Sequence, residues 1–275
     1  MTSTLDKPTI TATPAEPAPS ARPRRRFNRK FITSWIAVAV LLAIWQFAPE
    51  AGLVDKTFLP PLTKVLDAWW QLAQSGELWM DVHTSLQRSL VGFGIALCVG
   101  IPLGLLIGWY PLAAELLSPV FVIFLNTAAI ALLPVFTLIL GIGETSKITI
   151  IVYASLWPIL YNTISGVRAV DPLLIKSARS LGLSPLRLFQ KVILPAAVPT
   201  IFTGIRLAGA ASILVLVTTE MVGAKAGLGY LILNSQFNFQ IPAMYAGILT
   251  VSVIGVLFNY LLSSLERRFS TWRSA

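Results

Sequence analysis

The chain has 275 residues, of which 55% are hydrophobic and 12% are charged, and its formal net charge at pH 7 is +9. Soluble domains carry roughly 25% charged residues, so this chain has more apolar surface than a water-soluble fold hides. Its single cysteine and single histidine exclude an internal disulfide, a cysteine zinc cluster and a multi-histidine metal site, and they argue against a Ser-His-Asp hydrolase. The composition predicts an all-α membrane protein without a metal site or catalytic residues.

Residues 1–30 are predicted to be a disordered basic tail. The first 23 residues are rich in Pro, Thr, Ala and Ser and have no apolar period. The tail ends in six basic residues, which are Arg22, Arg24, Arg25, Arg26, Arg29 and Lys30. A basic run before an apolar stretch also resembles a signal peptide, but no small-residue cleavage site follows residues 35–47. We therefore expect residues 32–48 to be an uncleaved first span.

The segment after the first span contains an amphipathic piece at residues 63–73. Five apolar side chains share one side of it, namely Val65, Leu66, Trp69, Trp70 and Leu72. Such a helix can lie along the membrane interface with its tryptophans at headgroup depth. It can equally be a lid packed on its own protein, and the sequence does not separate these two interpretations.

Five further apolar stretches follow, at residues 86–109, 116–140, 148–167, 201–222 and 243–265, which makes six predicted membrane spans. With the N-terminus inside, basic residues on the cytoplasmic segments outnumber those outside by about three to one, as the positive-inside rule demands. The basic residues predicted outside are Lys56, Lys64, Arg88, Lys147 and Lys225. We expect both termini to be cytoplasmic, and the positive charge to reflect topology and not a nucleic-acid partner.

Small residues recur at every fourth position of the second predicted span, at Ala96, Gly100, Gly104 and Gly108. This spacing leaves one helix face without bulky side chains, so that the backbone of another helix can approach closely. It favours tight helix packing over a substrate contact. Cys98 lies in the same span and is expected to be a small buried hydrophobe.

The polar segment 168–199 contains signals for two short helices. Asp171 is a good N-cap for the first helix, and Gly182 supplies a C-terminal stop. Ser184 is the predicted N-cap of the second helix, which Pro195 and Pro199 stop or kink. A basic, amphipathic helical hairpin is a plausible docking surface, although a purely structural loop that follows the positive-inside rule is the alternative.

The same segment resembles a motif of a known family. The segment contains Lys176, Ser177 and Ala178, then Gly182 after three residues, and Val192 to Pro195 after nine more. This arrangement resembles the EAA loop of binding-protein-dependent ABC importer permeases. Gly182, Leu194, Pro195 and one alanine match that pattern at the family spacing. Lys176 stands where the family usually has Glu, and Ser177 where it usually has Ala.

The resemblance extends from about residue 45 to residue 268 and is greatest for the nitrate, sulfonate and taurine branch. The stretches that carry it, in chain order, are SGELW at 75–79, GIGETSK at 141–147, GVR at 166–168 followed by Asp171, TEM at 219–221 and GLGY at 227–230. Residues 126–131 read NTAAIA, where these permeases often have a proline-rich stretch. Each motif is weak alone, but together they occur in the family's order and spacing.

The resemblance implies a type I ABC importer permease fold with six transmembrane helices, in which residues 31–275 are the permease domain and 168–199 the coupling loop. It further implies a second copy of the chain, a cytoplasmic ABC ATPase dimer, an extracytoplasmic substrate-binding protein and a lipid environment in the bacterial inner membrane. The chain contains no G-x-x-x-x-G-K-[ST] motif, so we expect it not to be an enzyme, with ATP and Mg on the partner ATPase.

The predicted substrate is a small anion, first an aliphatic sulfonate or taurine. Nitrate or a vitamin precursor are the alternatives for an ABC permease. A secondary transporter driven by an ion gradient is the alternative from another class, and the hairpin at 171–195 would then be dispensable.

Polar residues inside predicted spans are candidates for the translocation path, because they are costly in a bilayer. Arg206 and Glu220 are two of them; they lie 14 residues apart, about 21 Å along a helix, so they do not pair with each other. Arg206 either faces an anion path or pairs with a neighbouring helix. Asn126, Thr127 and Thr219 either line the path or form hydrogen bonds between helices.

Overall fold

The computed structural model describes residues 27–269, with side chains from Ile36 to Arg268. This part of the chain is helical and contains no strand. The α-helices are α1 (Phe27–Glu50), α2 (Leu62–Gln74), α3 (Glu77–Trp109), α4 (Pro111–Asn126), α5 (Leu133–Leu140), α6 (Glu144–Arg168), α7 (Pro172–Ser180), α8 (Pro185–Leu188), α9 (Leu194–Glu220), α10 (Leu228–Phe237) and α11 (Ile241–Phe269). A 3-10 turn (Ala129–Leu132) precedes α5, and a π-turn (Phe189–Ile193) precedes α9.

The chain divides at Trp45 into two units, which are described separately. The first unit contributes the larger part of α1, which begins at Phe27, so that Arg29 and Lys30 of the predicted tail are helical. The earlier residues of that tail lie outside the described residues. The second unit begins at Gln46 and contains every other helix.

Among the described residues, four helical segments are long and apolar enough to cross a membrane: α3, α6, Pro185–Glu220 and α11. A fifth span results if α4 and the helical residues up to Leu140 are counted as one. The described apolar part of the first predicted span, Ile36–Glu50, is shorter than these helices. The structure therefore supports a helical membrane domain and does not confirm the count of six.

The third predicted span, 116–140, is not one continuous helix. It bends by 84° between Asn126 and Ala129. Thr127 and Ala128 have extended backbones, with ψ of 117° and 115°. The side chains of Asn126 and Thr127 donate to the carbonyl oxygens of Val122 and Ile123, four residues back, at 2.7 and 2.8 Å. The break therefore consists of two residues with extended backbones, a local conformation that apolar composition does not reveal.

Helices α3 and α6 pack closely in the core of the membrane domain, on the face of α3 that the small-residue spacing predicted to contact another helix. A Cβ atom added at Gly104 would lie 2.6 Å from the Cβ of Thr163, and one at Gly108 would lie 2.9 Å from the Cβ of Val167. Gly92 extends the stripe by facing Ile151. The two helices therefore run parallel, and their backbones approach each other as expected.

Helix α9 packs on the other side of α6. Gly204 faces Asn162, and Gly166 faces Thr200, so these two helices are antiparallel. Cys98 is exposed, contrary to the prediction that it is buried. Its position two residues from Ala96 and Gly100 places it on the opposite side of α3 from the glycine stripe.

Helix α2 packs on its own protein along one edge. Val65 is buried, and the indole Nε1 of Trp69 donates to Thr250 Oγ1 of α11 at 3.1 Å. Leu66 and Trp70 remain 50% and 59% exposed. The edge of α2 that contains Val65 and Trp69 therefore packs on its own protein, as the lid interpretation predicts. The edge that contains Leu66 and Trp70 is exposed.

The second helix of the predicted hairpin continues into the next span. Its predicted cap, Ser184, makes no side-chain capping bond, and Pro195 and Pro199 do not end the helix. The backbone passes through the π-turn, where the N–H of Leu194 bonds to the carbonyl of Phe189 five residues back. Such a wide turn changes the hydrogen-bond register just before Pro195, so residues 185–220 form one continuous helical segment.

Candidate functional site

The hairpin of α7 and α8 begins with the cap that the sequence predicts. Asp171 Oδ1 accepts a hydrogen bond from the N–H of Leu173 at 2.8 Å. Helix α7 ends before Gly182, whose φ is +75°, a backbone conformation that suits glycine. The N–H of Leu183 then bonds to the carbonyl of Ala178 at 3.2 Å, which closes the C-terminal turn. These local bonds fix the shape of the loop between the two helices.

The hairpin presents four leucines that its own protein does not cover. Leu173, Leu174, Leu181 and Leu186 are 68%, 53%, 80% and 66% exposed, and we call them the leucine surface. Four exposed basic residues belong to the same segment, namely Lys176, Arg179, Arg187 and Lys191. An apolar surface with positive charges around it is typical of a docking site for a protein partner.

Some of the residues matched to the EAA loop are exposed on the outer face of the hairpin, and the others are buried or partly buried at its base. Lys176, Ser177 and Gly182 are exposed. Ala178 is buried, and the remaining three, Val192, Leu194 and Pro195, are partly buried. The matched residues therefore both shape the hairpin and contribute to its outer face.

The base of the hairpin is packed tightly against the long helices. The rings of Trp109 and Phe189 meet edge to face with centroids 5.2 Å apart. Leu188 and Ile193 are buried in the same apolar cluster as Val167 and Ala197. The base of the hairpin is therefore in direct contact with the long helices.

A cluster of buried charges lies on the same helices, far from the hairpin. Arg88 of α3 binds Glu144 of α6 through Nε and Nη2, at 2.5 and 2.6 Å. Its Nη1 binds Oε1 of Glu220, at the end of α9, at 2.8 Å. The side chains of Arg88 and Glu220 are 5% and 0% exposed, whereas that of Glu144 is 62% exposed. Arg88 precedes Trp109 by 21 positions on α3, about 30 Å along the helix.

The same charges hold the loop between α9 and α10. Glu220 Oε2 accepts from the N–H of Gly229 at 2.9 Å, and Asp81 Oδ1 accepts from the N–H of Gly227 at 2.7 Å. Ser85 donates to Glu220 and accepts from the N–H of Leu228, both at 2.8 Å. Gly227 has φ of +121°, and a Cβ atom there would overlap the Glu220 carboxylate. The cluster therefore ties α3, α6 and α9 to this loop.

The structure does not bring the predicted path residues together. Glu220 belongs to the buried cluster, and the hydroxyl of Thr219 donates to the carbonyl of Leu216 on its own helix. Arg206 Nη1 pairs with Glu266 Oε2 of α11 at 3.0 Å, in agreement with the neighbouring-helix interpretation. Asn126 bonds within its own helix end, and Thr127 borders a cavity beside the helix break.

Sequence reasoning missed the partners of Glu220. It assigned Arg88 and Lys147 to the outer side of the membrane and did not predict that both are buried, at 4% and 3% exposure. Arg88 is buried because two carboxylates from distant helices neutralise it. One sequence signal was available: Asp81, Ser85 and Arg88 recur at helical spacing and share one face of α3.

Gly182→Val is expected to misplace the hairpin while leaving the membrane domain intact. No atom lies within 4 Å of a Cβ at this position, so the effect comes from the positive φ, which a β-branched residue adopts poorly. If the hairpin is the coupling loop that the resemblance implies, uptake and association with the predicted ATPase partner should fall by about tenfold or more, since a backbone cost of 1–3 kcal/mol shifts a two-state balance by that amount. Membrane insertion, measured by membrane fractionation, should be unchanged.

Gly182→Asn is the matched variant, because asparagine tolerates a left-handed backbone. It should retain most of the uptake. Equal losses of uptake in the Val and Asn variants would contradict the backbone explanation.

The long packed helices, the interrupted span and the exposed hairpin are those of a multi-span membrane protein. Among residues 36–268, no group of three or more His, Cys, Asp or Glu side chains is placed to hold a metal ion. The chain belongs to the family described as binding-protein-dependent transport system inner membrane component, whose model matches residues 100–271. It is an ABC importer permease subunit of the inner membrane, as the sequence motifs predicted.

Curated relatives agree over most of the chain. The putative aliphatic sulfonates transport permease protein SsuC of Escherichia coli is 35% identical over 244 residues, which are 89% of this chain and 93% of the relative. The taurine transport system permease protein TauC of the same species is 32% identical over 89% of this chain and 91% of the relative. The nitrate import permease protein NrtB of Synechocystis is 31% identical over 89% of this chain and 94% of the relative. These identities are too similar to separate the three named substrates.

Solved structures show the same fold. An inward-facing structure of the MetNI methionine ABC transporter matches with a TM-score of 0.60 at 20% identity, over 73% of this chain and 96% of that one. A crystal structure of an amino acid ABC transporter with histidines matches with a TM-score of 0.59 at 18% identity, over 72% of this chain and 96% of that one.

Proposed function

We propose that this permease subunit works as a homodimer that couples ATP hydrolysis on a cytoplasmic ATPase dimer to the import of a small organic sulfonate. The observation that carries the coupling is the leucine surface. Burying an exposed leucine side chain is worth roughly 1.5–3 kcal/mol, so four such side chains favour a protein partner strongly. The surrounding lysines and arginines complement an acidic rim on that partner.

The packing supports a mechanical coupling. When ATP draws the two ATPase subunits together, the hairpin moves with them, and its base moves α3, α6 and α9 because they share one apolar cluster. The charge cluster ties the far ends of these helices to each other and to the loop before α10. Rigid-body movement of this unit then exposes the path alternately to each side of the membrane.

The substrate class is supported by the relatives and not by a charged path in this chain. The relatives named above are transporters of aliphatic sulfonates, taurine and nitrate, which share an oxoanion group. We place the sulfonates first, with nitrate or a vitamin precursor as alternative cargo. In this proposal an extracytoplasmic binding protein delivers the substrate to the end of the molecule that contains the charge cluster. Both termini lie on the opposite, cytoplasmic side.

The test is uptake by the importer reconstituted in liposomes with its ATPase and binding protein. Labelled taurine or ethanesulfonate should accumulate only when the ATPase has ATP. Leu181→Glu should reduce both ATPase association and uptake by about tenfold or more, because a charge replaces an apolar contact in the interface. Leu53→Glu is the control, since Leu53 is 79% exposed and lies outside the hairpin.

Uptake driven by an ion gradient without ATP would contradict the proposal and favour a secondary transporter. ATP-driven uptake of nitrate but of no sulfonate would support an ATP-driven importer and would replace sulfonate by nitrate as the proposed substrate. Full ATPase association by Leu181→Glu would show that the leucine surface is not the docking site.

A further inference from the structure

We propose that the exposed face of α5 packs against the same face of α5 in a second copy of the chain, and that this contact closes the transport path on its outer side. The inference rests on the proposed function, because it assigns a contact between the two permease subunits of the homodimer. The face consists of Val135, Leu138 and Ile139, and we call it the α5 stripe.

The α5 stripe is apolar, and its own protein does not cover it. Val135, Leu138 and Ile139 are 49%, 87% and 71% exposed. The last two follow the first by three and four positions, which places all three on one side of the helix. On the other side, Leu133 is buried and Phe136 packs on the same apolar cluster. An exposed leucine in a membrane protein can face lipid or protein, so the backbone next to the stripe decides between them.

The break that precedes α5 lies beside the middle of α6. Phe124, near the end of α4, stacks on Trp157, and the hydroxyl of Tyr153 donates to the Phe124 carbonyl at 3.3 Å. Tyr153 and Trp157 are close to the centre of α6, a helix long and apolar enough to cross a membrane. The break is therefore at the depth of the hydrocarbon, and α5 lies between it and the outer end of α6 at Glu144.

Backbone groups at the break are unpaired. Within the part of the chain that the structure describes, the N–H groups of Ala128, Ala129 and Ile130 have no hydrogen-bond acceptor. Ala128 and Ile130 are exposed. Hydrocarbon offers no acceptor, so irregular backbone at this depth occurs only where protein covers it or where it lines a water-filled space. The exposed side of the broken span therefore faces the transport path and not lipid.

The α5 stripe continues this exposed side outwards. Residues 129–140 form one helical segment after the bend. Ala131 is exposed and precedes Val135 by four positions, so the two share a face. Water can satisfy the backbone at the break, but large apolar side chains beside a water-filled path favour an apolar partner. The same stripe of a second subunit is such a partner, because a two-fold axis brings identical surfaces together.

Helix α5 can shift without bending the long helices. It is bounded by extended backbone at Thr127 and Ala128 and by a turn at Gly141, whose φ is +79°. Segments of this kind absorb the changes in φ and ψ that a hinge requires. The contact between two stripes is purely apolar, so no ion pair has to break when the subunits separate. Movement driven by ATP therefore opens the outer side of the path by parting the two stripes.

Disulfide cross-linking in the permease–ATPase complex in nanodiscs tests the inference. Cys98→Ser first removes the single native cysteine, and Leu138→Cys or Ile139→Cys is then introduced and oxidised with copper phenanthroline. Without nucleotide, most of the permease should run as a linked dimer on a non-reducing gel. A disulfide requires the two Cα atoms to lie within about 7 Å, so linkage reports direct contact of the stripes. ATP with vanadate should lower the linked fraction several-fold.

Phe136→Cys is the matched control on the same helix. Phe136 packs on its own protein, so this variant should remain unlinked in both states. Labelling of Leu138→Cys from outside with a membrane-impermeant maleimide gives a second readout. It should be several-fold faster with ATP and vanadate than without nucleotide. Leu53→Cys, at a position that is 79% exposed in the segment after α1, should label at the same rate in both states.

Three results would overturn the inference. They are no linked dimer at either stripe position in a complex with two permeases, equal linkage at Phe136→Cys, or linkage that ATP and vanadate do not change. Native mass spectrometry counts the permease copies. If two copies are present and ATP-driven uptake persists, the proposed function stands and only the contact is wrong. A complex with one permease copy would contradict the proposed homodimer as well.

Discussion

Arg88→Met is expected to destabilise the membrane domain by about 3–5 kcal/mol, because it leaves the buried Glu220 carboxylate without its cation. Glu144 loses the same partner but stays solvated, since its side chain is 62% exposed. The loop before α10 should loosen too, because Arg88 Nη1 donates to the carbonyl of Ala226 at 2.8 Å. The free energy of unfolding, measured by SDS titration in mixed micelles, is the readout.

Arg206→Met is the matched control for this prediction. It also removes an arginine from an ion pair between helices, but Arg206 is 40% exposed, so the loss should be about 0–1 kcal/mol. Adding Glu220→Gln to Arg88→Met removes the uncompensated charge and should recover part of the loss. Similar losses for Arg88→Met and Arg206→Met would show that the buried cluster is not a stabilising element.

Gly104→Val is expected to disrupt the contact between α3 and α6. Its Cβ atom would lie 2.6 Å from the Cβ of Thr163, and 3.2 Å from the carbonyl oxygen of Leu160, so the two backbones must separate. Overpacking of this kind costs about 1–3 kcal/mol, and we expect the upper end because the obstacles are a Cβ atom and a backbone oxygen. The yield of monodisperse protein and the SDS titration midpoint should both fall.

Gly94→Val provides the control on the same helix. No atom lies within 4 Å of a Cβ at Gly94, so this variant has the same change in helix propensity without the clash. Gly104→Ala adds a methyl group to α3, and combining it with Thr163→Gly removes the obstructing side chain from α6, so the double variant should be more stable than Gly104→Ala alone. Equal losses in the two Val variants would contradict the close-approach explanation.

Three structural elements have different roles in the proposed mechanism. In that mechanism the hairpin receives movement from the ATPase partner, and α3 and α6, which pack closely through the glycine stripe, move as one body. The charge cluster holds the ends of that body to the loop before α10.

The sequence by itself determined those features that depend on neighbouring residues. The cap at Asp171, the stop at Gly182 and the contact face of Gly100, Gly104 and Gly108 are as predicted. Each depends on backbone conformation or side-chain size within a few residues, which spacing alone reveals. The family motifs belong to the same class of signal, and they identified the permease correctly.

The tertiary structure decided which distant groups meet and where helices bend. Arg88 binds a carboxylate 56 positions away and another 132 positions away, and no local pattern specifies such pairs. The break at Thr127 and the continuous helix through Pro195 are likewise invisible to hydropathy. Both depend on local backbone conformation, which is extended at Thr127 and passes through a π-turn before Pro195. Apolar composition determines that these segments lie in a membrane, and packing determines their course.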